Sequence, residues 1–224
     1  VALACGLHFV RLPMRRLLVI PAVLPLAIPS YVFTYTWIAL IPKFSGFFAA
    51  VFILSVTTLP YVILATLSGL RTVDGAQIEV ARSLGLSIPQ TFRRVVLPQV
   101  KGHISAGALL AALYTISDFG AVSLLNVESL TVTIQNMYRA SYDRSAAAVI
   151  SLVLIAFSTL VVLADEKVKQ QRPDSGAIKV YSTKNALINR ASLRFAVIAS
   201  LALFSLVAVL IPFFVLISRF VSNR

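Results

Sequence analysis

Apolar residues are grouped along this chain in five continuous runs, each long enough to cross a membrane. A helix rises 1.5 Å per residue, so about twenty apolar residues span a hydrocarbon core of about 30 Å. The runs do not alternate between apolar and polar residues, so helices are the expected way to satisfy their backbone groups in lipid, and Asp118 is the only charged residue within them. The pattern predicts an all-α integral membrane protein, a polytopic helix bundle with spans at 17–42, 47–68, 104–125, 146–164 and 195–217.

Basic residues between the runs predict the orientation of the spans. Lysine and arginine are enriched in cytoplasmic loops. The segments before the first run, between the second and third, and between the fourth and fifth hold 15 of the 20 basic residues. The alternate segments hold only Lys43, Arg139, Arg144, Arg219 and Arg224. We therefore expect the loop at 69–103 to face the cytoplasm.

Composition agrees with a membrane protein and narrows the chemistry. Only 12% of the 224 residues are charged, against about 25% in soluble domains. In such a protein the net charge of +12 marks cytoplasmic loops, and we expect no nucleic-acid partner. Cys5 is the single cysteine, which excludes an internal disulfide and a CxxC site. The chain starts with Val1 on half a span and ends just after an apolar run, so we expect it to be a piece of a longer protein.

Three prolines follow one another at intervals of four residues in the first run. Pro21, Pro25 and Pro29 would lie on one face of a single helix, where each removes a backbone donor and favours a kink. Two interpretations stay open: a bent packing helix, or a helix that lines a pathway, with Pro25 and Pro29 as candidate pathway or gating residues.

The loop at 69–103 carries the signals of two short helices. Asp74 with Gln77 three residues later, and Ser87 with Gln90, are N-terminal capping patterns. Gly85 suits the left-handed position that closes a helix, and the second helix, at about 88–97, is expected to end before Pro98. Ala76, Val80 and Leu84, with Ala81 beside them, form a small apolar face.

That apolar face needs a surface to cover it. The protein's own helices would serve, and so would another protein on the cytoplasmic side. A helix-turn-helix that reads DNA through Arg93 and Arg94 is disfavoured, because both ends of the loop are tethered to membrane spans.

The same loop resembles the EAA signature of ABC importer permeases. That pattern is Glu-Ala-Ala, three residues, Gly, nine residues, Ile, one residue and Leu-Pro. Glu79, Ala81, Gly85, Leu97 and Pro98 match it, while Val80 and Val95 replace an alanine and the isoleucine. The segments at 24–37, 117–125 and 137–155 are similar to the ferric-iron branch, whose members have two fused halves.

The resemblance implies a fold, a division of the chain and a set of partners. The fold would be that of a type I ABC importer permease in the bacterial inner membrane. Residues 1–164 would be the later part of the first permease half, 165–194 a cytoplasmic linker, and 195–224 the truncated first span of the second half. Membrane lipid, the second permease half, a cytoplasmic ATP-binding subunit dimer and a periplasmic substrate-binding protein would be the partners.

The resemblance also implies which residues couple the permease to its motor. The chain lacks G-x-x-x-x-G-K-[ST], so it is not expected to be an enzyme or to bind a cofactor, and Mg-ATP would sit on the partner subunit. A coupling helix would dock into that subunit, with Glu79 as an anchoring charge and Gly85 allowing close approach. The implied coupling residues are Glu79, Val80, Ala81, Leu84, Gly85, Leu97 and Pro98.

Candidate residues outside the loop are fewer. Asp118, as an acid within a span, is a candidate for a pathway or gating role, or for local capping at the bend by Gly120. In this family the outer loop that holds Tyr138 and Tyr142 would be where the delivery protein docks. His8 and His103 make no i,i+4 pair, so no metal site is expected.

Function is expected to be import of a solute, with ferric iron as the favoured cargo. Permeases for thiamine, phosphonate or polyamine share the architecture and stay open as alternatives. An ion-coupled secondary transporter fits the first-run prolines, but not the single acid or the matched loop. An intramembrane enzyme would need a Ser/His dyad or paired acids within the spans, and these are missing.

Overall fold

A computed structural model describes residues 1–140, 144–170 and 191–222, with only the backbone described at 15–16, 140 and 167–170. All regular elements of the described residues are helices, joined by turns and loops, as the apolar runs predict. The helices are α1 (Ala2–Phe9), α2 (Arg15–Val23), α3 (Ser30–Leu40), α4 (Phe47–Arg71), α5 (Gly75–Ser83), α6 (Ile88–Thr91), α7 (Leu97–Ser117), α8 (Gly120–Leu124), α9 (Leu130–Ala140), α10 (Arg144–Gln170), α11 (Ala191–Ser205) and α12 (Ile211–Ser222).

Four of the five predicted spans correspond to unbroken stretches of helix long and apolar enough to cross a membrane. Two of these stretches contain π turns, at Phe92–Val96 and Leu206–Leu210. The four are Phe47–Arg71, Ile88–Ser117, Arg144–Glu166 and Ala191–Ser222.

The predicted span at 17–42 is not one continuous helix. The chain bends by 90° between Leu17–Ala27 and Ser30–Leu40, so this run is either a broken span or a re-entrant loop. A residue before proline is forced towards extended backbone, and Ile28, before Pro29, has φ −99° and ψ 117°. Pro25 lies in the 3-10 turn Leu24–Ala27. The prolines therefore do not share the face of one helix.

The helix that carries the third predicted span, 104–125, begins and ends earlier than that span. It runs from Ile88 through the π turn to Ser117, and α8 is a separate short helix after a break at Asp118. The helix of the fourth predicted span, α10, continues to Gln170, past the predicted start of the linker at 165. Residues 171–190 of that linker lie outside the described residues.

Close packing of α4 against α7 forms the centre of the bundle. Gly107 on α7 makes this possible, because an added Cβ would lie 2.8 Å from Ala65 Cβ and 2.9 Å from Val62 Cα. Small residues at helix interfaces allow such approach within membranes. One buried cluster, which includes Leu67, Leu70 and Val96, lies at the end of this pair that carries the 72–96 loop. A second cluster, with Phe33 and Ile53, lies towards the opposite end.

Candidate functional site

The segment Gly75–Pro98 is a rigid projection at the end of the α4–α7 pair. Asp74 caps α5, because its Oδ1 accepts a hydrogen bond from the Ala76 N–H at 2.9 Å. At the second predicted cap, Gln90 Oε1 accepts the Ser87 N–H at 2.9 Å. Both predicted helix starts are confirmed.

Gln77 does not complete the first capping pattern. Its Oε1 instead accepts a hydrogen bond from Gln99 Nε2 at 3.1 Å, and the same Gln99 nitrogen donates to the Val95 carbonyl at 2.9 Å. The side chain that the sequence assigned to a helix end therefore joins α5 to the start of α7, which fixes the orientation of α5 against the bundle.

Gly85 closes α5 in a Schellman motif. The Leu86 N–H donates to the Ala81 carbonyl at 3.2 Å and the Gly85 N–H donates to the Arg82 carbonyl at 3.0 Å. The Gly85 φ is +84°, the left-handed conformation that glycine adopts without strain. An added Cβ would meet nothing within 4 Å, so within this chain the residue is required by backbone conformation rather than by packing.

The two sides of α5 differ in burial. Ile78 and Ala81 are 7% and 5% exposed, and Ile78 packs in the buried cluster with Val96 and Val100. The opposite face presents Val80 and Leu84, 58% and 77% exposed. The predicted docking face is therefore corrected at one position: Ala81 packs into the protein's own bundle because it lies on the same side of the helix as Ile78.

Ala76 extends this exposed surface, because it lies one turn before Val80 and is also exposed. We call Ala76, Val80 and Leu84 the exposed apolar face. Glu79 lies beside it, exposed, and makes no ion pair with any described residue. Single apolar side chains are normal on protein surfaces, whereas apolar side chains that form a contiguous exposed surface mark an interaction site more often.

The second half of the motif is built into the membrane helix itself. Leu97 is half-buried and Pro98 is exposed, at the start of α7. The expectation that a helix ends before Pro98 is wrong, because the π turn at Phe92–Val96 lets the chain continue. The Leu97 N–H donates to the Phe92 carbonyl five residues earlier, which widens the helix where the proline ring would otherwise meet the preceding turn.

Asp118 closes the break between α7 and α8. It is 9% exposed, and both carboxylate oxygens accept hydrogen bonds: Oδ2 from the Ser30 hydroxyl and Oδ1 from the Ala121 N–H at 2.8 Å. Its carbonyl accepts from the Thr131 hydroxyl at 2.9 Å. We call Ser30, Asp118, Ala121 and Thr131 the polar knot. These contacts favour the local capping interpretation of Asp118; a role in a pathway stays a prediction.

The remaining predicted residues are dispersed. Pro25 is buried in the 3-10 turn, whereas Pro29 is exposed at the N-terminus of α3. Tyr138 is exposed on α9, with the Arg144 guanidinium 5.8 Å from its ring centroid. Tyr142 lies outside the described residues. Within the part of the chain that is described, no three His, Cys, Asp or Glu side chains are grouped to hold a metal ion.

The contact of Ser30 with Asp118 was not predicted from the sequence. Ser30 is one of several hydroxyls in its run, and nothing in the sequence distinguishes it from Thr34 or Thr36. Gly120 was expected at a bend beside Asp118, but its approach to α3 was not. An added Cβ at Gly120 would lie 3.0 Å from Tyr31 Cβ and 3.3 Å from Ser30 Oγ, so the glycine allows α8 to approach α3 at the polar knot.

Comparison with known proteins gives a family match over most of the chain. Residues 2–171 match the model of the family described as binding-protein-dependent transport system inner membrane component. The Fe(3+)-transport system permease protein FbpB 2 of Haemophilus influenzae is 32% identical over 187 residues, covering 82% of this chain and 37% of that relative.

Other similar proteins are named for other solutes. The sulfate transport system permease protein CysT of Salmonella typhimurium is 29% identical over 68% of this chain and 62% of its own length. The molybdate/tungstate transport system permease protein WtpB of Pyrococcus abyssi is 29% identical over 62% of this chain and 56% of its own length. The chain thus spans between about a third and two thirds of the length of these three relatives.

Proposed function

Since this chain belongs to the family of inner membrane components of binding-protein-dependent transport systems, we propose that it forms part of the transmembrane subunit of an ABC importer. A solute delivered by a periplasmic binding protein would cross the membrane along this subunit and the second permease half. ATP would be hydrolysed on a separate cytoplasmic subunit, because the sequence offers no phosphate-binding loop.

The observation that carries this proposal is the exposed apolar face of α5. Leu84, 77% exposed, is an apolar side chain on a helix whose opposite side is fixed to the bundle through Ile78. Burying such side chains in a partner's cleft stabilises the complex, by about 25 cal/mol for each Å² of apolar surface removed from water. Because α5 is also tied to α7 through Gln77 and Gln99, movement of a docked partner would be passed to the membrane helices.

Leu84→Asp tests this docking. We expect the variant to insert and fold as the parent does, because the side chain lies in solvent, and to lose both association with the ATP-binding subunit and transport. Asn136→Asp is the control for association with the ATP-binding subunit only, since it also adds one carboxylate at an exposed position but lies on α9 in the outer loop. Co-purification of the ATP-binding subunit and solute uptake are the measurements, and normal uptake by Leu84→Asp would reject the proposal.

Ferric iron is the cargo we propose, supported by the Haemophilus relative and by the segments that resemble the ferric-iron branch. The sulfate and molybdate/tungstate relatives make an oxyanion the second candidate. Titration of the cognate binding protein with ferric iron, sulfate and molybdate decides between them. Thiamine, a phosphonate and a polyamine belong in the same series, and tight binding of any solute other than ferric iron would replace it as the cargo.

A further inference from the structure

Arg71 and Lys101 lie at the same depth, at the cytoplasmic end of the α4–α7 pair. The register follows from two contacts: Gly69 lies against the His103 ring, and Gly107 lies against Val62 and Ala65. The helices therefore run antiparallel, and two residues beyond Gly69 on α4 are level with two residues before His103 on α7. Arg71 is also the last residue of the apolar helix α4, so both cations mark the edge of the hydrocarbon layer.

Neither cation has a protein partner in the described part of the chain. Both side chains are exposed, and neither forms a hydrogen bond or an ion pair with another described residue. Of the two acids in the loop between them, Asp74 caps α5 through its Oδ1, and Glu79 lies beside the exposed apolar face. With the membrane edge at the end of the apolar helix α4, these two charges would lie at the depth of the lipid phosphates.

Uncharged side chains follow each cation along its helix. On α4, Leu64, Ser68 and Arg71 are all exposed and are spaced at i, i+4 and i+7, which places them along one side of the helix. On α7, Ser105 is half-buried one turn after Lys101, and Ala108 is exposed two turns after it. The strip beside Arg71 is therefore exposed throughout, and the strip beside Lys101 is partly covered one turn below the cation.

We propose that Arg71 and Lys101 bind the headgroups of anionic phospholipids in the cytoplasmic leaflet. The phosphate pairs with the cation, and the acyl chain lies along the strip beneath it. This combination fits an amphiphile with a negative head. A nucleic acid would leave the strips uncovered, and the ATP-binding subunit is assigned to the exposed apolar face, not to this level. The inference depends on the membrane orientation and is independent of the cargo.

Lipid selectivity measured by electron spin resonance tests the assignment. The complete permease complex is placed in phosphatidylcholine nanodiscs with spin-labelled phosphatidylglycerol or spin-labelled phosphatidylcholine as the probe. A basic residue at the surface of an anionic membrane contributes about fivefold to association, which is an upper bound for the effect of one charge in a phosphatidylcholine host. We expect Arg71→Gln/Lys101→Gln to abolish the preference for phosphatidylglycerol over phosphatidylcholine, and added salt to lower it in the parent.

The control removes the same charge from the same loop, further from the membrane edge along the chain. Arg82 and Arg93 are both exposed, on α5 and in the π turn, and Arg82→Gln/Arg93→Gln should retain the lipid preference. Equal selectivity of the parent and Arg71→Gln/Lys101→Gln, both verified by thermal unfolding, would overturn the proposal. An equal loss in the control would show general charge attraction instead of binding at these two residues, and would overturn the proposal as well. Loss of the ATP-binding subunit with unchanged lipid selectivity would assign the cations to that protein and would also overturn it.

Discussion

Asp118 shows how one side chain can hold a broken membrane helix together. Backbone groups left free at a break within lipid must be satisfied by the protein itself. The Asp118 carboxylate accepts the Ala121 N–H at the start of α8 and the hydroxyl of Ser30 at the start of α3, while its carbonyl accepts from Thr131. One residue therefore connects three separate elements to the end of α7, and its burial is accounted for by these bonds.

Removing the carboxylate should destabilise the protein. Asp118→Ala leaves the Ala121 N–H and the Ser30 hydroxyl without acceptors in a buried site, which costs about 1–3 kcal/mol for each group. Thermal unfolding of the purified permease measures the loss. Because Ser30 and Asp118 are bonded, Ser30→Ala should cost little more when Asp118 is already alanine. Ser117→Ala is the control, since that exposed hydroxyl bonds only within its own helix. Unchanged stability in Asp118→Ala would contradict this account.

At the scale of the elements, α5 is fixed on one side and open on the other, and Gly85 lies at its end. Gly85→Asp should still insert, with a loss of about 1 kcal/mol of stability because a side chain is strained at a φ of +84°. It should uncouple transport by obstructing the approach of the ATP-binding subunit, since the space around Gly85 is open within this chain. Gly85→Ala is the matched control, because it carries the same left-handed strain but adds neither the bulk nor the charge of the carboxylate, and it should retain more uptake. Uptake and ATP hydrolysis are measured together. Normal uptake by Gly85→Asp, or equal loss in both variants, would contradict a specific coupling role.

The α4–α7 contact makes a second prediction at this scale. Gly107→Leu must separate the helices, since its Cβ already lies within 3.0 Å of Ala65, Val62 and the Tyr61 carbonyl oxygen. Overpacking of this kind costs about 1–3 kcal/mol. Ala108→Leu adds a larger apolar side chain to the neighbouring exposed position and should be close to neutral. Thermal unfolding compares the two, and equal melting temperatures would show that the helices tolerate the separation.

The sequence predicted the elements better than their ends. Both N-terminal caps and Gly85 were recognised because capping depends on residues close together in the chain. The effect of proline was predicted only in part. The kink expected in the first run is a 90° bend before Pro29 that divides the run into two helices, whereas Pro98 was predicted to end a helix that continues through a π turn. A second π turn, at Leu206–Leu210, likewise precedes Pro212. The residues near a proline do not determine whether the helix continues past it, because tertiary packing selects between a break and a widened turn.

The predicted docking residues of α5 were also only partly correct, because tertiary packing decides which of them are exposed. Val80 and Leu84 are exposed as a partner surface requires, but Ala81 is buried, and which side of α5 faces the bundle depends on Ile78 reaching Val96 and Val100 across the fold. Of the polar knot, Asp118 was predicted but its partner Ser30 was not, because the two residues are 88 positions apart in the chain. Contacts of that range follow from the bend at Pro29, which the apolar pattern does not reveal.

For the molecule as a whole, the last described helices close the bundle formed by the first ones. The stretch Ala191–Ser222 packs against α1, α2 and α3, and Arg219 donates to the Ala39 carbonyl at 3.3 Å. If residues 195–217 open a second permease half, as the domain prediction holds, that half would begin by covering the opening helices of this one. The two halves would then depend on each other for folding.

Gly6 tests this dependence because it is where α1 meets α11. A Cβ at Gly6 would collide with the Val197 side chain, so Gly6→Leu should weaken the contact between the first and last described helices and lower the unfolding temperature. Val197→Ala removes the methyl groups that it would strike, and adding this change should restore part of the loss, a coupling expected only for residues in contact. Cys5→Leu, beside Gly6 on the same helix, adds similar bulk at a different position and should gain nothing from Val197→Ala. Additive effects of Gly6→Leu and Val197→Ala would show that the last helix does not rest on α1 in the membrane.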